Sequence, residues 1–184
     1  MKLTALAGRA ASLACLTASL TALTSAAPTA SASAGRHPTG ATETCSTQSG
    51  AIFPHAFTSA DNLAVGPLAM MGAGRFTAAA TVRTFGGNKF PLLVAAGHTV
   101  TIELTRATNR FASLAYGSHS RRGHRVMTFR ACDRKNADSN ADGKPVTFWS
   151  GFVRATRPAC VPLRIWVDHQ PNPRRARIAL GKRC

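Results

Sequence analysis

Acidic residues are scarce in this chain. Seven Asp and Glu stand against 23 Lys and Arg, a formal net charge of +16 at pH 7 over 184 residues. So few carboxylates leave little room for chemistry that shares general acid and base roles among several of them. Aromatics are sparse too, at 7% with one Tyr and two Trp, which argues against a groove that stacks nucleic-acid bases on aromatic platforms. Beyond the first 34 residues no apolar run approaches the roughly 18 residues that a membrane span needs. No G-x-S-x-G, H-E-x-x-H, P-loop or paired-carboxylate pattern occurs. We therefore expect no transmembrane segment, no specific nucleic-acid partner, no cofactor, no metal and no enzymatic activity.

What is present begins with an export signal. Residues 1–34 open with Lys2 and Arg9, pass through a weakly apolar stretch and end in small residues, the layout of a secretory leader. Cleavage can follow Ala26, Ala32 or Ala34, and Ala34 is preferred. Cys15 lies in the apolar region behind Ser12-Leu13-Ala14, a poor lipidation box, and is read as leader filler. The organisation expected is a signal peptide at 1–34, an extended N-terminal arm at 35–50 and a β-sandwich domain at 51–184. Removing the leader takes away two positive charges and no acid, so the basic balance belongs to the folded part. The predicted location is secreted, extracellular or cell-wall associated.

Four cysteines remain: Cys45, Cys132, Cys160 and Cys184. An even number in an exported chain implies two disulfides. Three pairings are open; we expect Cys132 with Cys160, which brackets one β-rich segment, and Cys45 with Cys184, which ties the two ends. Zinc is disfavoured because no two cysteines stand at ligand spacing.

Period-two alternation recurs along the mature chain. It is clearest where Val100, Ile102 and Leu104 face one way and Thr99, Thr101 and Glu103 the other, a strand with one wet face. Further strands are expected at 111–116, 126–132, 146–153, 161–167 and 175–180. An edge strand kinked at Gly66-Pro67 is expected at 62–71, an alanine-diluted strand at 75–85, and a turn at Gly86-Gly87-Asn88. About eight short strands without 3.6-residue periodicity predict an all-β, antiparallel β-sandwich of Ig-like shape with two disulfides.

Taken together, Phe90-Pro91-Leu92-Leu93-Val94-Ala95-Ala96-Gly97-His98-Thr99, Thr128-Phe129-Arg130-Ala131-Cys132, Thr147-Phe148-Trp149-Ser150-Gly151-Phe152 and Cys160-Val161-Pro162-Leu163-Arg164-Ile165-Trp166-Val167-Asp168 resemble small secreted β-sandwich proteins of high-GC Gram-positive bacteria. The likeness spans about residues 60–184. It implies an exported, disulfide-bonded sandwich and carries over no activity, substrate or catalytic residue.

Candidate chemistry is thin. Asp138-Ser139-Asn140-Ala141-Asp142-Gly143 matches the first half of a calcium loop, but Trp149 occupies the twelfth position where a bidentate Glu belongs, so a polar hairpin is the plainer expectation. Cleavage after Ala34 would put His37 third from a free amine, a spacing suited to square-planar copper, though a tail that happens to hold a histidine needs no metal. His98, His119, His124 and His169 lack partners at informative spacing. The basic groups cluster at 121–130, 154–164 and 174–183; Arg121, Arg122, Arg174 and Arg175 are the residues expected to touch an anionic partner. The function expected is a non-catalytic binding or structural protein of the cell envelope that associates with an anionic cell-wall polymer. The alternative is an inhibitor or effector that docks a protein partner, and a hydrolase whose triad leaves no sequence motif is the less favoured third reading.

Overall fold

The computed structural model describes residues 37–45 and 50–184. The leader, the lipidation reading at Cys15 and the Gly35-Arg36 half of the copper motif lie outside the described residues. Within them the chain is all-β and antiparallel in character, with thirteen short strands rather than about eight. These are β1 (Ala41–Glu43), β2 (Leu63–Val65), β3 (Leu68–Met70), β4 (Gly87–Lys89), β5 (Leu92–Ala95), β6 (Thr99–Leu104) and β7 (Ala112–Tyr116). They are followed by β8 (Val126–Arg130), β9 (Ser139–Ala141), β10 (Lys144–Trp149), β11 (Gly151–Ala155), β12 (Ala159–Val167) and β13 (Arg174–Leu180).

The strands form three sheets. The first has the order β1-β8-β6-β12-β13, the second β2-β3-β5-β10-β9, and the third β4-β11-β7. Alternation works as the pattern predicts on the inner face of the first sheet. Val100, Ile102, Met127, Phe129, Leu163, Ile165 and Ile178 are buried there, in one cluster with Leu68, Leu92, Val94, Trp149 and Val153 of the other two sheets. This apolar layer between sheets is the core of the sandwich, and it is where most of the hydrophobic stabilisation resides. A second cluster of Ala69, Leu93 and Val146 packs beneath Phe53 and Phe57. Because β5 is covered on both faces, its sequence runs continuously apolar instead of alternating.

Several expectations need correction. The segment 75–85 contains the helix α1 (Ala79–Phe85), closed by Gly86 in the left-handed region at φ 66° with its N–H on the Val82 carbonyl. Alanine is the best helix former and tolerates either period, so local propensity decided here. The kinked edge strand at 62–71 is a hairpin of β2 and β3 about Gly66, φ 59°. The single strand expected at 146–153 breaks at Ser150 and changes sheet. Gly151 makes that exit tolerable, since a Cβ there would stand 2.2 Å from the Tyr116 ring. Nor is the Thr face of β6 wet, because Thr101 is 4% exposed and Glu103 9%.

The disulfides are Cys45–Cys132 and Cys160–Cys184, with Cα separations of 4.8 and 5.1 Å. The expected Cys132–Cys160 and Cys45–Cys184 pairings are overturned by strand register. β1 runs parallel beside β8 with Glu43 opposite Phe129, which delivers Cys45 to Cys132. β12 and β13 are antiparallel with Cys160 opposite Ala179, so the chain end returns to Cys160. Within the 35–50 arm, the β1 pairing makes Ala41–Glu43 an edge strand of the first sheet. No helix among the described residues is long and apolar enough to cross a membrane.

Candidate functional site

The outer face of the first sheet carries the polar side chains that alternation turns away from the core. Registers define its rows. One row runs Thr42, Thr128, Thr101 and Trp166 across β1, β8, β6 and β12. At one end of it Arg130 stands opposite Thr99, beside His98 and Asp168. At the other, Glu103, Arg164 and Arg175 follow one another from β6 to β13, with Arg177 two residues further along.

The chain from His37 to Gly40 lies against this face before it becomes β1. His37 Nε2 bonds the Gln170 carbonyl at 2.9 Å, and its ring sits 6.2 Å from that of Trp166. Sheet and arm together enclose a cleft of about 780 Å³. Its lining is hydroxyls (Thr39, Thr42, Thr99, Thr101, Thr128), imidazoles (His37, His98, His169), Arg130 and a single acid, Asp168. On the face that reads as wet, Thr101 lines the cleft and bonds Thr128 at 2.9 Å, and Glu103 lies against Arg125 and Arg164.

At the cleft edge His98 precedes β6 and Asp168 follows β12. Three contacts clamp them: Asp168 N–H to the Thr99 carbonyl at 2.8 Å, Thr99 N–H to Asp168 Oδ1 at 2.9 Å, and His98 Nδ1 to Asp168 Oδ2 at 2.9 Å. Desolvation pushes the Asp168 carboxyl upward, but the Thr99 N–H and the His98 ring, with help from the charge of His169, outweigh it and hold its pKa below the ordinary value. A carboxylate only accepts, so the Nδ1 of His98 carries a proton, and in the neutral ring the lone pair lies on Nε2. Asp168 adopts φ 50°, a left-handed conformation that costs a non-glycine residue about 1 kcal/mol.

A second carboxylate–imidazole pair lies inside the fold. Glu43 is fully buried and accepts bonds from Ser118 Oγ, His119 N–H and His119 Nδ1 at 2.9, 3.0 and 2.7 Å. His124 stacks edge-on against His119 at 5.3 Å. Burial, then the neighbouring charges of His119 and Arg122, pushes the His124 pKa down.

The four arginines singled out from sequence do not share one surface row. Arg121 and Arg122 sit in the loop after Tyr116, whose carbonyls at Ser120 and Arg121 accept bonds from Arg154 on β11. Arg174 lies over the β2–β3 turn, with Nη1 2.7 Å from where a Gly66 Cβ would stand. All four are exposed, but only Arg175 lies opposite Arg164 in the arginine row of the first sheet. Sequence reasoning counted Arg130 and Arg177 in basic clusters without singling them out, and it missed the His98–Asp168 and Glu43–His119 pairs. For His98 and Asp168 a signal existed: each abuts an alternating strand, and if those strands pair antiparallel the two ends coincide.

The acid count can now be placed. Asp61 pairs with Arg75, and Glu103 takes both Arg125 and Arg164. These are the only arginines in ion pairs among the described residues. The calcium-like segment is the β9–β10 hairpin, with Lys144 opposite Ala141 and both turn residues, Asp142 at φ 53° and Gly143 at φ 76°, in the left-handed region. That is how Asp-Gly closes a two-residue hairpin. No group of three or more His, Cys, Asp or Glu placed to hold a metal ion occurs among the described residues.

No protein-family model matches the chain, and no curated protein or solved structure does either.

Proposed function

We propose that this is an exported protein of the cell envelope that holds an anionic, polyol-phosphate wall polymer along the outer face of its first sheet. The observation that carries the reading is the register of Arg164 with Arg175 on a face that also bears Arg177, Arg130 and the threonine-lined cleft. Glu103 is the one acid in the arginine row; Arg125 engages it closely, Arg164 stands 3.9 Å from it, and Arg175 and Arg177 are in no ion pair among the described residues. Guanidinium groups bind phosphate in a fork, and rows of hydroxyls suit the polyol between phosphates. From Arg164 to Asp168 is about 13 Å along the strand, so one extended ligand can meet both ends of the face. The leader-like first 34 residues and the two disulfides support an extracytoplasmic setting.

Co-sedimentation with isolated cell walls, with and without their teichoic polymers, tests this. Retention should require the polymers and fade toward about 1 M salt, where the Debye length shrinks to about 3 Å. Arg164→Glu with Arg175→Glu and Arg177→Glu should abolish it, while Arg121→Glu with Arg122→Glu should weaken it little. Retention indifferent to the first triple variant sinks the proposal. Binding that survives high salt would instead favour the docking of a protein partner.

A further inference from the structure

The geometry points to a catalytic activity at the cleft, a transesterification in which His98 deprotonates a polyol hydroxyl that then attacks its own neighbouring phosphodiester. This rests on the polyol-phosphate reading above and adds turnover to it. The expectation of a non-catalytic protein rested on missing motifs, and a dyad assembled from residues 70 positions apart leaves no motif.

Four observations converge. First, the Asp168 carboxylate fixes the His98 tautomer, so in the neutral ring the lone pair lies on Nε2, and the His98 side chain is 44% exposed. Second, among the described residues the His98 ring bonds Asp168 and no hydroxyl or thiol of the chain, which leaves its other nitrogen open to a hydroxyl brought by the ligand. Third, Arg130 stands directly opposite Thr99 on the adjacent strand, about 5 Å away between backbones, where a permanent cation can receive a phosphate. A neutral ester would make no use of it. Fourth, His169 lines the same cleft as a second imidazole able to give a proton. Asp168 holds a left-handed backbone against three hydrogen bonds, and strained residues kept this way concentrate at functional sites.

The step balances without an added reactant. The hydroxyl oxygen forms a bond to phosphorus as its proton passes to Nε2 of His98. The bond from phosphorus to the next polyol oxygen breaks, and that oxygen takes a proton from His169. The products are a cyclic phosphodiester and a shortened polymer ending in a free hydroxyl. Water opening the ring, with the proton transfers reversed, restores both imidazoles. The charged and titratable groups around His98 are Asp168, His169, His37 and Arg130, so the rate should show a bell-shaped pH dependence.

The test uses the purified secreted protein with a synthetic glycerol-phosphate oligomer bearing free hydroxyls beside its phosphodiesters, followed by phosphorus NMR. A cyclic phosphodiester should appear, and an oligomer with those hydroxyls methylated should be inert. His98→Gln should lower the rate about a hundredfold or more, at a melting temperature near that of the parent. Asp168→Asn changes a positioning residue; it should slow the reaction, because the amide no longer fixes which ring nitrogen of His98 carries the proton, while leaving wall retention near that of the parent. Arg130→Gln gives a second slowed variant should the first not fold. The inference is overturned if the parent forms no cyclic product while walls still retain it, an outcome that spares the binding reading. If retention is absent too, both fall. A methylated oligomer that is cut, a His98→Gln variant at the parent rate, or cleavage of RNA but not of the oligomer would equally overturn it.

Discussion

Truncating Glu43 is the sharpest test of the interior. Its side chain is wholly desolvated, and Oε1 gathers Ser118 Oγ, the His119 N–H and His119 Nδ1. Gly117 permits this approach, since a Cβ there would fall 2.4 Å from Oε2. Hydrogen bonds to a charged group contribute about 1.5–3 kcal/mol each, but three on one oxygen do not add in full, and the His119 side chain is 34% exposed, so water can take over part of its share. Breaking a buried pair from one side costs about 3–5 kcal/mol, and that is the range expected for Glu43→Ala. Glu43→Gln keeps an acceptor for two of the donors and should cost about 1–2 kcal/mol, the difference between charged and neutral bonds. In urea, with a slope of about 2 kcal/mol/M, the alanine variant should lower the midpoint by about 2 M and the glutamine variant by less than about 1 M. A loss under about 1 kcal/mol for Glu43→Ala is what a solvated surface pair yields, and it would refute the desolvated site.

The disulfides close loops of different length, 87 residues for Cys45–Cys132 and 24 for Cys160–Cys184. On the chain-entropy model, replacing the first pair by alanine should cost about 4.5 kcal/mol and the second about 3.5, measured by denaturation and with the pairing itself checked by non-reducing peptide mapping. His124 titrates below its unfolded value, so the native state binds fewer protons than the unfolded chain near that pH. Stability from this group is therefore complete above about pH 6.5 and declines as pH falls below it; His124→Gln should flatten that slope in urea midpoints taken from pH 8 to pH 5. Gly151→Ala would drive a methyl to 2.2 Å from the Tyr116 ring and 2.6 Å from the Ala115 carbonyl, and thermal unfolding should show a loss of about 1–3 kcal/mol.

The sequence by itself determined the class of fold and the faces of its strands. Alternation at Val100, Ile102 and Leu104, at Met127 and Phe129, and at Leu163, Ile165 and Val167 is a local property, since a strand has period two wherever it goes. The Asp142-Gly143 hairpin was legible for the same reason. At 75–85 the local signal was ambiguous, because alanine satisfies both periods, and the αL cap at Gly86 settled it. Which strands become neighbours is a different matter, for side-chain period carries no address. Only the tertiary structure decided that β1 runs parallel to β8, and that one fact moved Cys45 to Cys132 and buried Glu43 against His119. It likewise laid β6 beside β12, bringing His98 to Asp168 and lining Arg164 up with Arg175 on one face. Disulfides, buried charge and candidate site alike depend on register between segments distant in sequence, whereas the pattern within any one segment reports only which way its side chains point.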